Sequence, residues 1–154
     1  MTGRSTPRPV IVDASVVVKW QLDDEEDRGP ALALRNDLII HGTLTAHAPT
    51  LFAYEMINGV VSAVKRKRMD SAIGARALTL LFSVKVTLHS PPVDDVYPLA
   101  IEHGLSAYDS AYVATARRLG MEFWTADRRL HDAVKAKLSW VRWIGEYAAS
   151  GRRA

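Results

Sequence analysis

There is no cysteine anywhere in the 154 residues of this chain. That absence excludes disulfides, Cys-ligated zinc, iron–sulfur centres and thiol nucleophiles, and it is compatible with a reducing cytoplasm. Long apolar runs are missing too: those present are too short and too interrupted to span a bilayer. The opening MTGRSTPRP has no signal-peptide hydrophobic segment, so a soluble cytoplasmic protein with no membrane attachment is expected. No G-x-G-x-x-G or Walker motif occurs, which leaves nucleotide-cofactor binding without support. The histidines, His41, His47, His89, His103 and His131, are scattered without metal spacing and read as caps or surface residues.

What is present is enough apolar side chain, 48% of the residues, to fill one core. Residues 1–9 read as a flexible leader, 10–147 as a single domain and 148–154 as a flexible tail. Lys and Arg total 20 against 17 acids, a formal charge of +3 that by itself says little about partners. Its distribution says more. Acids run consecutively from Asp23 to Asp27, and basic residues group at Lys65–Arg68, Arg117–Arg118, Arg128–Arg129 and Arg152–Arg153. Separate acidic and basic surface regions are expected.

The run VIVDAS, Val10 to Ser15, reads as a buried strand ending on a carboxylate and turning at once into a helix over Val16 to about Trp20, with Ser15 as N-cap. An amphipathic helix over Ala31–Leu38 ends near His41–Gly42. Pro49 opens a helix to about Arg68, in which Glu55, Asn58 and Ser62 line up as a polar stripe. Asp70 caps the next helix, to about Phe82. Val84, Val86 and Leu88 alternate as a short strand. A helix over Val93–His103 stops at Gly104, and Ser106 with Asp109 matches a capping box for a helix to Leu119, stopped at Gly120. Met121–Thr125 is a strand, Asp127 leads a helix to about Lys137, and Trp140, Val141 and Ile144 give a last strand or packed tail. This alternation predicts an α/β domain with a mainly parallel sheet. No obvious second strand follows the first before two or more helices, so the winding is not a regular Rossmann repeat.

Asp13, Glu55, Asp109 and Asp127 fall at matching junctions of these elements, and in open parallel sheets the ligand crevice lies outside the carboxyl ends of the strands. Carboxylates gathered there repel one another unless a cation neutralises them. Oxygen ligands without Cys or a His pair favour Mg2+ or Mn2+. Such a site suits phosphodiester hydrolysis, with Ser15 and Thr125 orienting ligands or water and with Arg117, Arg128 and the Lys65–Arg68 tip holding the backbone of a nucleic acid. Each acid also has a plainer role open to it. Asp13 can end a strand and cap the turn, Glu55 can be a surface or ion-pairing residue, Asp109 the capping-box acid answering Ser106, and Asp127 an N-cap. Ser15 can be no more than the cap of its helix.

Taken together, VIVDAS, YEMINGV around Glu55, LSAYDSAYVATARRLG around Asp109 and FWTADRRL around Asp127 resemble the PIN-domain family, and within it the VapC toxins of toxin–antitoxin pairs. The resemblance spans Val10 to about Leu130. It implies a three-layer α/β/α sandwich and an endoribonuclease in which Asp13, Glu55, Asp109 and Asp127 bind Mg2+ or Mn2+. Asn58, Thr125 and Ser15 match the family's polar positions, and Lys65 and Arg66 join Asn58, Arg117 and Arg128 as expected RNA contacts. A homodimer and a cognate antitoxin protein are implied as well. A catalytically silent RNA- or protein-binding module and a DNA-directed nuclease are the rival readings. A receiver domain or haloacid-type phosphatase is poorly supported, because Ala14 and Ser15 follow Asp13 where a second acid is needed. The C-terminal SWVRWIGEYAAS matches no motif.

Overall fold

The computed structural model describes Gly3, residues 5–23 and residues 25–149. Five strands form one parallel sheet: β1 (Arg8–Val12), β2 (Leu44–Pro49), β3 (Val86–His89), β4 (Glu122–Thr125) and β5 (Val141–Trp143), in the order β3-β2-β1-β4-β5. The helices are α1 (Ala14–Val18), α2 (Arg28–Ile39), α3 (Phe52–Lys65), α4 (Ser71–Phe82), α5 (Val93–His103), α6 (Ala107–Leu119) and α7 (Arg128–Val134). Right-handed crossovers put α1–α4 on one face of the sheet and α5–α7 on the other, which makes three layers. No helix among the described residues is long and apolar enough to cross a membrane.

Val10, Ile11 and Val12 are essentially without exposure, as the continuous apolar run of β1 requires of a central strand. The strand starts earlier than expected and takes in Arg8 and Pro9, two residues assigned to the leader. Arg8 N donates to Thr43 O, and its guanidinium reaches Glu122 of β4 at 2.6 Å. The remainder of the leader includes residues 1, 2 and 4, which lie outside the described residues, as do residues 150–154 of the expected tail and the Arg152–Arg153 group.

β2 is the element the sequence reading missed. In Leu44-Thr45-Ala46-His47-Ala48, Leu44, Ala46 and Ala48 are buried and Thr45 is exposed, so the two-residue period is present. Alanine carries little strand preference, which hides the pattern. Its small size has a structural reason, since α6 packs directly over β2, β1 and β4. The run Ser110–Ala116 of α6 is wholly buried there. Ser110 Oγ donates to Val96 O at 2.6 Å and Thr115 Oγ1 to Ala111 O at 2.7 Å, so the serine and threonine hydroxyls in that run are satisfied.

The chain end with no recognisable motif becomes the far edge strand, β5. A 3-10 turn at Ile144–Glu146 follows it, and Tyr147 then donates to the fully buried Asp37 of α2 at 2.5 Å. His41 is exposed at the end of α2 as expected, whereas His47, His89 and His103 depart from the surface reading. His47 Nδ1 and His89 Nε2 of neighbouring strands lie 3.0 Å apart with stacked rings, and the His103 side chain is 4% exposed.

α1 and α3 pack closely because Gly59 faces Val18. A Cβ added at Gly59 would lie 2.7 Å from Val18 Cγ2, the stiff branch of a β-branched residue. In an open helix Gly→Ala is stabilising, by roughly 1 kcal/mol. Gly59→Ala is instead expected to destabilise by about 1–3 kcal/mol, the usual cost of overpacking, and to lower activity by parting the helices that follow Asp13 and carry Glu55. A urea melt beside an activity assay checks this, and a more stable, fully active variant would refute it.

Candidate active site

β1, β2 and β3 are laid down in one direction across the sheet, and the chain then returns to place β4 and β5 on the other side of β1. The order reverses between β1 and β4, so the crevice opens at their carboxyl ends. Asp13 follows β1 directly and its N–H donates to Trp124 O of β4 at 3.0 Å, joining the two sides. Asp13, not Ser15, is the N-cap of α1. Its carboxylate accepts from Ser15 N at 3.4 Å, and Ser15 lies inside the first turn with Oγ accepting from Ala126 N at 3.0 Å.

Thr125, fully buried at the end of β4, connects two acids. Its hydroxyl donates to Asp13 Oδ2 at 2.7 Å and accepts from Asp127 N at 3.0 Å. Asp127 caps α7 through Leu130 N on Oδ1 at 3.1 Å. Asp109 lies in the first turn of α6, whose N-terminus faces the same edge because the helix runs back toward β4. Ser106 Oγ accepts from Asp109 N at 3.0 Å. The Asp109 carboxylate points elsewhere: Arg129 Nη2 donates to its Oδ2 at 2.9 Å and stands 3.8 Å from Asp127 Oδ2. Glu55 comes from the first turn of α3.

A cleft of about 240 Å³ is lined by Asp13, Ser15, Glu55, Asp109 and Asp127, with Lys19, Glu25 and Gly59 at its wall. A larger hollow of about 530 Å³ between α2, β2 and β3 has no acid in its lining, so size does not mark the chemistry. Burial pushes the Asp13 carboxyl up to about 6 against the hydrogen bonds from Thr125 and Ser15, with Asp109 adding repulsion. Glu55 is pushed up to about 7, by burial first and by the charge of Asp13 next. Neither Glu55 Oε1 nor the Tyr112 hydroxyl closes a hydrogen bond, although they are near enough for the hydroxyl to draw the Glu55 value down and for burial and the acids to push that of Tyr112 far up.

Among the described residues no three of the His, Asp and Glu side chains stand at metal-coordinating spacing. The donor set nonetheless suits a hard divalent cation: it is all oxygen, it contains a buried carboxylate oxygen without a partner, and its members raise one another's pKa.

The expected nucleic-acid contacts separate from the acids. Lys65 ends α3 and Arg66 caps it, about 15 Å of helical rise beyond Glu55. Arg117 is in the last turn of α6, about 12 Å from Asp109 by the same measure. Asn58 is exposed on α3 and outside the cleft lining. The Arg128 guanidinium lies 3.9 Å over the Trp143 ring, while its neighbour Arg129 reaches the acids. Near the cleft, Lys19 is a group that the residue pattern did not mark, and Arg68 of the basic tip is turned to an acid. Lys19, 8% exposed, donates to Glu25 Oε2 and Glu26 O, both at 2.8 Å, and Arg68 donates to Glu25 Oε1 at 2.6 Å. This network ties the acidic loop to the basic tip, both of which pass through left-handed backbone, at Asp27 (φ 57°) and Lys67 (φ 59°).

Acids from separate elements thus converge at the switch point of a parallel sheet, an all-oxygen cleft whose chemistry suits a hard divalent cation. Comparison with known proteins is specific. The PIN domain profile matches residues 10–136, and the chain belongs to that family. Ribonuclease VapC9 of Mycobacterium tuberculosis is 33% identical over 130 residues, covering 83% of this chain and 93% of that protein. Ribonuclease VapC3 of Pyrobaculum aerophilum is 28% identical over 131 residues, 82% and 95% of the two chains. The crystal structure of PAE2754 from Pyrobaculum aerophilum superposes with a TM-score of 0.63 at 29% identity, covering 90% of this chain and 91% of that one. The structure of Mycobacterium tuberculosis VapC20, a toxin that cleaves the sarcin-ricin loop, shares the fold with a TM-score of 0.57 at 16% identity, over 86% and 98% of the chains.

Proposed function

We propose that this protein is a Mg2+- or Mn2+-dependent endoribonuclease and the toxin of a toxin–antitoxin pair acting in the cytoplasm. The observation that carries the reading is the cleft shared by Asp13, Glu55, Asp109 and Asp127, in a chain whose relatives are named ribonucleases over nearly their whole length. A divalent cation held by these carboxylates would polarise a phosphoryl oxygen and lower the pKa of an attacking water. Asp13, fixed by Thr125 and the Ser15 backbone, is the pre-oriented oxygen donor. Glu55, with an unpartnered oxygen, would join it in holding the ion. Thr125 and Ser15 hold Asp13, Asp127 and the Ala126 backbone in place, the orienting shell such sites need.

The same kinship supports a protein antitoxin and a homodimer. Val93, Tyr97 and Ile101 recur at four-residue spacing along α5 and are 77%, 65% and 68% exposed, an apolar stripe that suits such a contact.

Purified protein incubated with total cellular RNA in Mg2+, Mn2+ or EDTA, beside Asp109→Asn, tests the activity. Cuts at discrete positions that need the metal and vanish in the variant are expected. Cutting that persists in EDTA, or in Asp109→Asn, would refute the reading.

A further inference from the structure

The four acids face one cleft, and Arg129 supplies the positive charge seen between two of them. Its Nη2 is 2.9 Å from Asp109 Oδ2 and 3.8 Å from Asp127 Oδ2. Asp127 Oδ1 is already engaged by Leu130 N, so the oxygens nearest Arg129 are those that a cation in the cleft would need. The hold is light. One nitrogen donates, not a two-nitrogen fork, and the Arg129 side chain is 70% exposed against 15% for Asp109. The guanidinium can therefore swing away without leaving water, whereas Lys19 is committed to Glu25 and Arg128 to the Trp143 ring.

We propose that Arg129 is the built-in counter-cation of the site: it holds Asp109 and Asp127 in the metal-free protein, yields them to a divalent ion, and then holds a phosphate oxygen of the RNA. The inference rests on the nuclease reading above and adds to it a residue with two successive partners. Exchange of one for the other is easy, because an exposed ion pair of this kind shifts an equilibrium by no more than about fivefold. A dication shared among carboxylates gains more, and its charge repels the guanidinium from the same oxygens. Phosphate is the natural next partner, since a guanidinium binds it through charge-assisted hydrogen bonds.

Calorimetric titration of Mn2+ into the wild type, Arg129→Gln and Asp109→Asn, without RNA, isolates the exchange from catalysis. Removing the competing cation is expected to tighten Mn2+ binding by about three- to fivefold in Arg129→Gln, while Asp109→Asn weakens it. Equal or weaker Mn2+ binding in Arg129→Gln would overturn the exchange. At saturating Mn2+, the KM of Arg129→Gln for RNA should rise about tenfold with kcat little changed, and the salt dependence of binding should lose about one phosphate contact. Unchanged KM and salt dependence would overturn the second role. Circular dichroism confirms that the exposed substitution leaves the fold intact. A wild type that takes up no Mn2+ would refute the metal-dependent reading itself, and the exchange with it. Mn2+ uptake that Arg129→Gln leaves unaltered would remove the exchange alone.

Discussion

Asp13→Asn should abolish metal-dependent RNA cleavage, by about a thousandfold or more, and at the same time make the metal-free protein more stable at neutral pH. The first effect follows from removing a pre-oriented charged ligand from a site whose ion supplies several kcal/mol of transition-state stabilisation. The second follows from the burial of Asp13, which is 6% exposed and has its carboxyl raised from 3.8 to about 6. A carboxyl raised by folding favours the folded state at pH values below its unfolded pKa. That contribution is lost as pH rises through about 6. Metal-free wild type should therefore lose stability between pH 5 and pH 8, and Glu55, raised to about 7, extends the loss toward the upper end. Asparagine keeps an oxygen for the Thr125 hydroxyl and carries no charge, so the variant should gain about 2 kcal/mol at pH 7.5 and show a flatter profile. Urea melts at the two pH values, with EDTA present, measure it. A variant less stable than wild type at pH 7.5 would mean that Asp13 serves the fold before it serves the site.

The second large effect is expected at Thr125. Thr125→Val keeps the shape of the fully buried side chain and deletes one hydroxyl that donates to Asp13 and accepts from Asp127 N. An orphaned buried donor and an unsupported carboxylate should cost about 1–3 kcal/mol in stability. Metal affinity should fall about 10–100-fold, as for other groups that orient ligands. Thr125→Ser restores the hydroxyl and should recover most of both. Calorimetry with Mn2+ on the two variants distinguishes the roles: equal affinities would show that the hydroxyl is a packing detail.

Much of this arrangement was legible in the residue order, for local reasons. Asp13, Asp109 and Asp127 stand where strand–turn–helix signals are strong, and Gly104, Ser106 and Gly120 mark their helix ends through contacts within a few residues. The β-strand at Leu44–Pro49 was hidden because alanine gives way to a helix lying over it. Assigning the first cap to Ser15 failed because Asp13 and Ser15 both suit a cap, and the hydroxyl of Ser15 is instead taken by Ala126 N, 111 residues away, which no local signal foretells. Spacing could not separate Arg128 from Arg129. One helical step turns the first onto Trp143 and the second onto the acids. The ties among Lys19, Glu25 and Arg68 and between His47 and His89 depend on tertiary approach or strand register, which no short window of sequence contains.

The reversal of strand order between β1 and β4 also governs when the protein can act. Asp13 and Glu55 belong to the part of the chain wound first, and Asp109 and Asp127 to the part that returns. During synthesis β1 stays an unprotected edge until β4, the strand that closes against it, has left the ribosome with Thr125 at its end and Asp127 just behind. No nascent fragment short of that point carries a complete site. A chain that cuts RNA would thus remain harmless to the machinery translating it until β4 and the acid after it had emerged.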